Sequence, residues 1–128
     1  MKNRFALLVL TVMSAMAHAQ EIPAVLKVVS VGGRNILADQ TGRTAYIFDI
    51  DGATGVSQCY TGCAQEWPPI LVDANAQVSA PFGITQRKDG TSQIMMNNKP
   101  LYLYVDDVNE GQTSGDTYSK VWHLIVMP

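Results

Sequence analysis

Cys59 and Cys63 are the only cysteines in the 128-residue chain. Two thiols four residues apart can close a small structural disulfide, act as a redox pair, or supply part of a soft-metal site. Thioredoxin-type redox chemistry uses Cys-x-x-Cys at the start of a helix in a βαβ context. Here the spacing is Cys-x-x-x-Cys, among short strand-like runs. A structural disulfide is therefore expected, with redox or metal use as the alternatives. Its ring is small, so its entropic stabilisation should be roughly 2 kcal/mol, the lower part of the usual range. Copper-type ligands extend to Met95, Met96, Met127 and His123. Met95 and Met96 are adjacent, so on a strand they point to opposite faces, and methionine commonly fills gaps in a core. Cys59, Cys63 and His123 remain weak metal candidates, and no cofactor is expected.

Carboxylates offer other chemistry. Asp49-Ile50-Asp51-Gly52 and the group Asp106, Asp107, Asn109 and Glu110 suggest calcium, which takes several oxygens from one loop. The first loop lacks the third acid and distal Glu of an EF-hand. Asp51 and Asp107 read better as hydrogen-bonding the loop that follows each aromatic strand. Two carboxylates could also form the acid/base pair of a glycosidase, but repeated Asp residues are better explained by repeated structure. No Gly-x-Ser-x-Gly elbow is present. No catalytic residue is assigned, and an enzyme is the least favoured reading.

What positions these groups is a repeat. Tyr46-Ile47-Phe48-Asp49-Ile50-Asp51 recurs as Tyr102-Leu103-Tyr104-Val105-Asp106-Asp107, and each copy leads through a polar, Gly-containing loop to a Trp, Trp67 or Trp122. The offset is 56 residues at Tyr46/Tyr102, Phe48/Tyr104 and Asp51/Asp107, and 55 at Trp67/Trp122. Four landmarks in one register mark an internal repeat. Together with Tyr60 and Tyr118, these aromatics are expected to form a shared core. Asp51 and Asp107 would accept hydrogen bonds from its polar tips. A surface for peptide, glycan or other ligand is the alternative.

The same residues carry a family resemblance. The chain resembles the secreted repeat family of unknown function, described as predicted lipoproteins with a Tyr-x-(Phe/Trp/Tyr)-x-x-Asp motif. Further pieces are Asp39-Gln40-Thr41-Gly42-Arg43-Thr44, Cys59-Tyr60-Thr61-Gly62-Cys63-Ala64, Trp67-Pro68-Pro69, Lys88-Asp89-Gly90-Thr91, Pro100-Leu101-Tyr102 and Val121-Trp122-His123. The match covers nearly all of the chain beyond its N-terminal leader. It implies no activity, cofactor or catalytic residue, because the family has none to carry over.

That leader, residues 1–19, reads as a signal peptide. Lys2 and Arg4 are basic, Phe5 to Met16 is apolar, and Ala17-His18-Ala19 is a small-x-small cleavage site before Gln20. The apolar run is short of the roughly 20 residues needed to span a bilayer. No cysteine lies near the cleavage site, so a lipid-modified N-terminal Cys and a membrane anchor after cleavage are not expected. Export to the periplasm, or secretion, is.

Cleavage would leave 109 residues, enough for one compact domain with a modest core. Seven basic residues would then face eleven acidic ones, a net charge of −4. That charge opposes binding to nucleic acid and to anionic lipid. His123 would be the only histidine, which weakens a zinc-enzyme reading.

Short β-branched and aromatic runs punctuated by Gly, Asn and Asp indicate an all-β, mostly antiparallel domain. Strands are expected over 25–31, 35–39, 44–50, 82–86, 92–96, 101–105 and 121–127. A short helix is expected over 61–66, stopped by Pro68-Pro69. The repeats would span about 25–72 and 81–127, joined by 73–80. They should share one core, because a unit of about 55 residues buries too little surface alone. The function expected is a non-enzymatic binding or interaction module, its partner an unknown envelope protein or small ligand. The alternative is a copper-binding or redox accessory protein using the Cys59/Cys63 loop.

Overall fold

The computed structural model describes residues 6–12 and 21–128. The expected cleavage site at Ala17-His18-Ala19 lies outside the described residues. The chain first forms a hairpin, β1 (Leu26–Val31) against β2 (Arg34–Asp39), antiparallel in the register Leu26↔Asp39 to Val31↔Arg34. Its two-residue loop is Gly32-Gly33, both at positive φ (56° and 79°), as a tight hairpin turn requires. β3 (Tyr46–Phe48) leads into a 3₁₀ turn, Asp49–Asp51, and then α1 (Gly62–Glu66). The second half opens with β4 (Phe82–Gln86) paired to β5 (Ser92–Met96). Then come β6 (Lys99–Pro100), a 3₁₀ turn at Tyr118–Lys120, and β7 (Trp122–Leu124). All the strand pairs are antiparallel, so the described residues form an all-β fold with one short α-helix.

Two expected strands are shorter and a third does not form. The run 44–50 keeps only Tyr46–Phe48 as a strand. From Asp49 the backbone turns, with Gly52 N donating to Asp49 O. The Asp51 carboxylate takes the Gln58 amide at 2.7 Å, a local side-chain bond that competes with a ladder. The run 101–105 is not a strand. Its amides are divided among three segments: Leu101 donates to Ile94 O, Tyr102 to Tyr46 O, and Leu103 and Val105 to Pro68 O and Glu66 O. The last run is a strand only at Trp122–Leu124. Beyond it, Ile125 O accepts from Leu37 N, and Met127 N donates to Asn35 O.

These bonds interlock the halves. The tail of the first half adds to the second hairpin, where Ile70 O accepts from Ile94 N and Val72 N donates to Ser92 O. The tail of the second half adds to the first hairpin through Ile125 and Met127. At one crossing, Ile94, Ile70 and Leu101 close a ring of three backbone hydrogen bonds, each 3.0 Å. An apolar cluster of Leu26, Leu37, Ala45, Ile70, Phe82, Ile94, Leu101, Leu103 and Met127 draws on both halves. A second cluster is almost wholly aromatic.

Candidate functional site

The repeat motif sits on an approximate two-fold axis through Tyr46 and Tyr102. These equivalent residues hydrogen-bond each other reciprocally, Tyr46 N to Tyr102 O at 2.8 Å and Tyr102 N to Tyr46 O at 2.9 Å. On a strand, alternate residues share a face, so Tyr46 and Phe48 turn toward the aromatic cluster and Ile47 toward the apolar one.

The phenols cross the axis. Tyr46 Oη donates to Asp107 Oδ2 (2.5 Å), and Tyr102 Oη donates to Asp51 Oδ2 (2.6 Å). Each Asp therefore serves the tyrosine of the other repeat. Each also gathers its own loop, Asp51 taking Gln58 N (2.7 Å) and Asp107 taking Ser114 N (2.9 Å). Both carboxylates are buried, at 2% and 1% exposure. Burial raises the Asp51 pKa, against the opposing pull of its hydrogen bonds from Tyr102 and Gln58. Burial pushes both phenols far above their ordinary value, and their carboxylate partners push the same way.

The remaining aromatics form one stack, Phe48–Trp122–Trp67–Tyr104. Trp67 and Trp122 lie 3.8 Å apart and 2° from parallel. Phe48 caps Trp122 at 4.1 Å, and Tyr104 caps Trp67 at 4.3 Å. Tyr46 meets Trp67 edge-on and Tyr102 meets Trp122 edge-on, at 5.5 and 5.2 Å, a favoured aromatic geometry. Gly115 packs so closely that a Cβ there would lie 2.8 Å from Trp67 and 2.9 Å from Tyr46.

Residues 32–71 and 83–126 match the family described as a secreted repeat of unknown function. The chain belongs to that family of secreted repeats. No curated protein and no solved structure matches it.

In this secreted-repeat protein the motif residues Tyr46, Phe48, Asp51, Trp67, Tyr102, Tyr104, Asp107 and Trp122 thus meet in one framework. Cys59 belongs to the same cluster. It is bonded to Cys63, with Cα atoms 5.2 Å apart. His123 Nε2 is 2.8 Å from Asp49 Oδ2 at the surface. Among the described residues, no group of three or more His, Cys, Asp or Glu side chains is arranged to hold a metal.

The sequence reading missed Arg87. Its guanidinium is buried, at 4% exposure. It donates to Ser57 Oγ (2.9 Å), Gln93 Oε1 (2.8 Å) and Cys59 O (2.7 Å), and lies 4.3 Å over the Tyr60 ring. Among the described residues it has no carboxylate within 4.0 Å. A hydrogen-bonded chain links it to Asp51 through Ser57 and Tyr102, whose hydroxyls are 2.6 Å apart. The cation in turn favours ionised Asp51. An Arg at a strand end beside a polar turn carries no local sign of burial. Ser57 and Gln93 were missed for the same reason.

Two surface clefts obey the same approximate symmetry. One, of about 450 Å³, is lined in part by Pro69, Ile70, Leu71, Leu103, Asp39 and Gln40. The other, of about 200 Å³, is lined by Ile47, Met96, Asn97, Lys99, Leu124 and Ile125. Leu103 corresponds to Ile47, and Ile70 to Ile125, at the repeat offsets of 56 and 55.

Proposed function

We propose that this secreted repeat is a non-enzymatic binding module of the periplasm or cell envelope, exported by a cleaved signal at residues 1–19. The carrying observation is that the motif's polar groups face inward. Asp51, Asp107, Tyr46 and Tyr102 satisfy one another across the two-fold axis and hold a scaffold together. The surface clefts include two that are repeat-related, open and largely apolar, so they can take a ligand without disturbing that scaffold. Export is supported by the leader itself: Leu7, Leu8, Val9, Leu10 and Val12 are exposed. No helix among the described residues is long and apolar enough to cross a membrane.

A thermal-shift screen of the purified protein against envelope small molecules and peptides tests this reading, with mass analysis of every ligand afterwards. A saturable rise in Tm with the ligand recovered unchanged is expected. Conversion of a ligand to product would replace the module with an enzyme. The alternative is a thiol–disulfide role at Cys59–Cys63. It is favoured by the half-buried Cys63 and by Thr61 inside the ring, a β-branched residue at φ 52°. A readily reduced bond would support it, and a potential below about −300 mV, typical of structural bridges, would remove it.

A further inference from the structure

The two repeat-related clefts share equivalent apolar wall positions, Leu103 with Ile47 and Ile70 with Ile125, but employ their polar groups differently. In the first-repeat cleft, the Asp39 carboxylate is consumed by its own turn, accepting from Thr41 N, Thr41 Oγ1 and Arg43 N. Gln40 Nε2 is held by the carbonyls of Ala24 and Leu26. In the other cleft, the side chains of Asn97 and Lys99 make no hydrogen bond and no ion pair among the described residues. Both are nonetheless placed firmly. Asn97 and Asn98 form a two-residue turn at φ 53° and 60°, a conformation that Asn tolerates. Lys99 opens β6 immediately after it, in register with Met96. A donor amide and an ammonium therefore stand free at the rim of a cavity of about 200 Å³ walled by Ile47, Met96, Leu124 and Ile125.

We propose that this cleft binds a small amphipathic carboxylate. Its acyl or aryl tail lies on Ile47, Met96, Leu124 and Ile125, and its carboxylate is held by Lys99 Nζ and the Asn97 amide. The charge argument selects the anion. Lys99 carries the only formal charge among the six lining residues, and a charge-assisted bond to carboxylate is stronger than a neutral one. The size argument selects a short tail, because the cavity is below the range of about 300–1,000 Å³ that holds drug-sized ligands. The repeat-related cleft has no free cation, so one site per chain is expected. This assignment rests on the binding-module reading and names a ligand class for it.

The test is an NMR titration of the ¹⁵N-labelled secreted chain with octanoate. Octan-1-ol, octylamine and acetate are the controls, and Lys99→Glu and Lys99→Arg are the variants. Saturable octanoate shifts centred on Ile47, Asn97, Lys99, Leu124 and Ile125 are expected. Binding should weaken at least about tenfold in Lys99→Glu and be largely kept in Lys99→Arg. Lys99 is half-buried on a rim, so both variants should fold, and their unchanged spectra away from the cleft check it. Equal binding of octanol or octylamine overturns the carboxylate assignment. So do shifts centred on Leu103 and Ile70, or concentration-dependent shifts without ligand, which would mean self-association. No octanoate binding, in a protein that still binds another ligand from the thermal-shift screen, overturns this site while leaving the module reading intact. Chemical turnover in that screen overturns the module reading itself.

Discussion

Tyr46→Phe removes one oxygen from the centre of the interlock. The ring is wholly buried and its phenol contacts two groups, Asp107 Oδ2 at 2.5 Å and Gly115 N at 3.1 Å. Phe fills the same volume, so no ring-sized cavity opens. The loss is the bonding of two buried polar groups. Leaving part of a buried carboxylate unpaired costs about 1–3 kcal/mol, and orphaning a buried amide about 1 kcal/mol more. A total of about 3 kcal/mol is a large share of the roughly 5–15 kcal/mol that stabilises a small domain. It should lower Tm by on the order of 10–15 °C. Urea unfolding followed by Trp67 and Trp122 fluorescence measures it. The sharper readout is a pair of double-mutant cycles. Tyr46→Phe with Asp107→Asn should couple by about 1 kcal/mol or more, because these groups touch across the repeats. Tyr46→Phe with Asp51→Asn, the pair within one repeat, should couple by less than about 0.5 kcal/mol. Stronger coupling within the repeat would refute the crossed arrangement, and with it the claim that each half completes the other.

Burial raises the pKa of both Tyr46 and Tyr102 above their ordinary value of 10.0, so the native state holds those protons more tightly than the unfolded chain does. Their stabilisation is fully present below pH 10 and is lost as pH rises beyond it; urea midpoints from pH 9 to 12 should fall, less steeply in Tyr102→Phe. Gly115→Ala forces a methyl to within 3 Å of the Trp67 and Tyr46 rings and should cost at least about 1–3 kcal/mol, seen as an early thermal transition by circular dichroism. Cys59→Ser with Cys63→Ser should lose roughly 2 kcal/mol for so small a ring, while keeping the near-ultraviolet signature of the Trp67–Trp122 stack. Loss of that signature would show that the disulfide organises the stack rather than bracing it.

Tyr46/Tyr102, Phe48/Tyr104, Asp51/Asp107 and Trp67/Trp122 were legible because a repeat writes its structural demands twice. The hairpin 82–86/92–96 and the helix ended by Pro68-Pro69 were legible because β-branched runs, Asp89-Gly90 and proline act over a few residues. Arg87, Ser57 and Gln93 were not legible. Their hydrogen bonds reach across the fold, and nothing in their neighbourhoods distinguishes a buried guanidinium from a solvated one. The expected strand at 101–105 failed for a related reason. Its pattern is a strand pattern, but its amides answer to three different segments.

The amino-acid sequence by itself determined the family, the all-β class, the repeat and the residues at its centre, since these depend on composition, local propensity and recurrence along the chain. Only the tertiary structure decided which Tyr bonds which Asp, that each tail completes the other repeat's hairpin, and which of two similar clefts keeps free polar groups. An approximate two-fold axis makes within-repeat and between-repeat pairings look identical along the chain. Distance in space is what separates them.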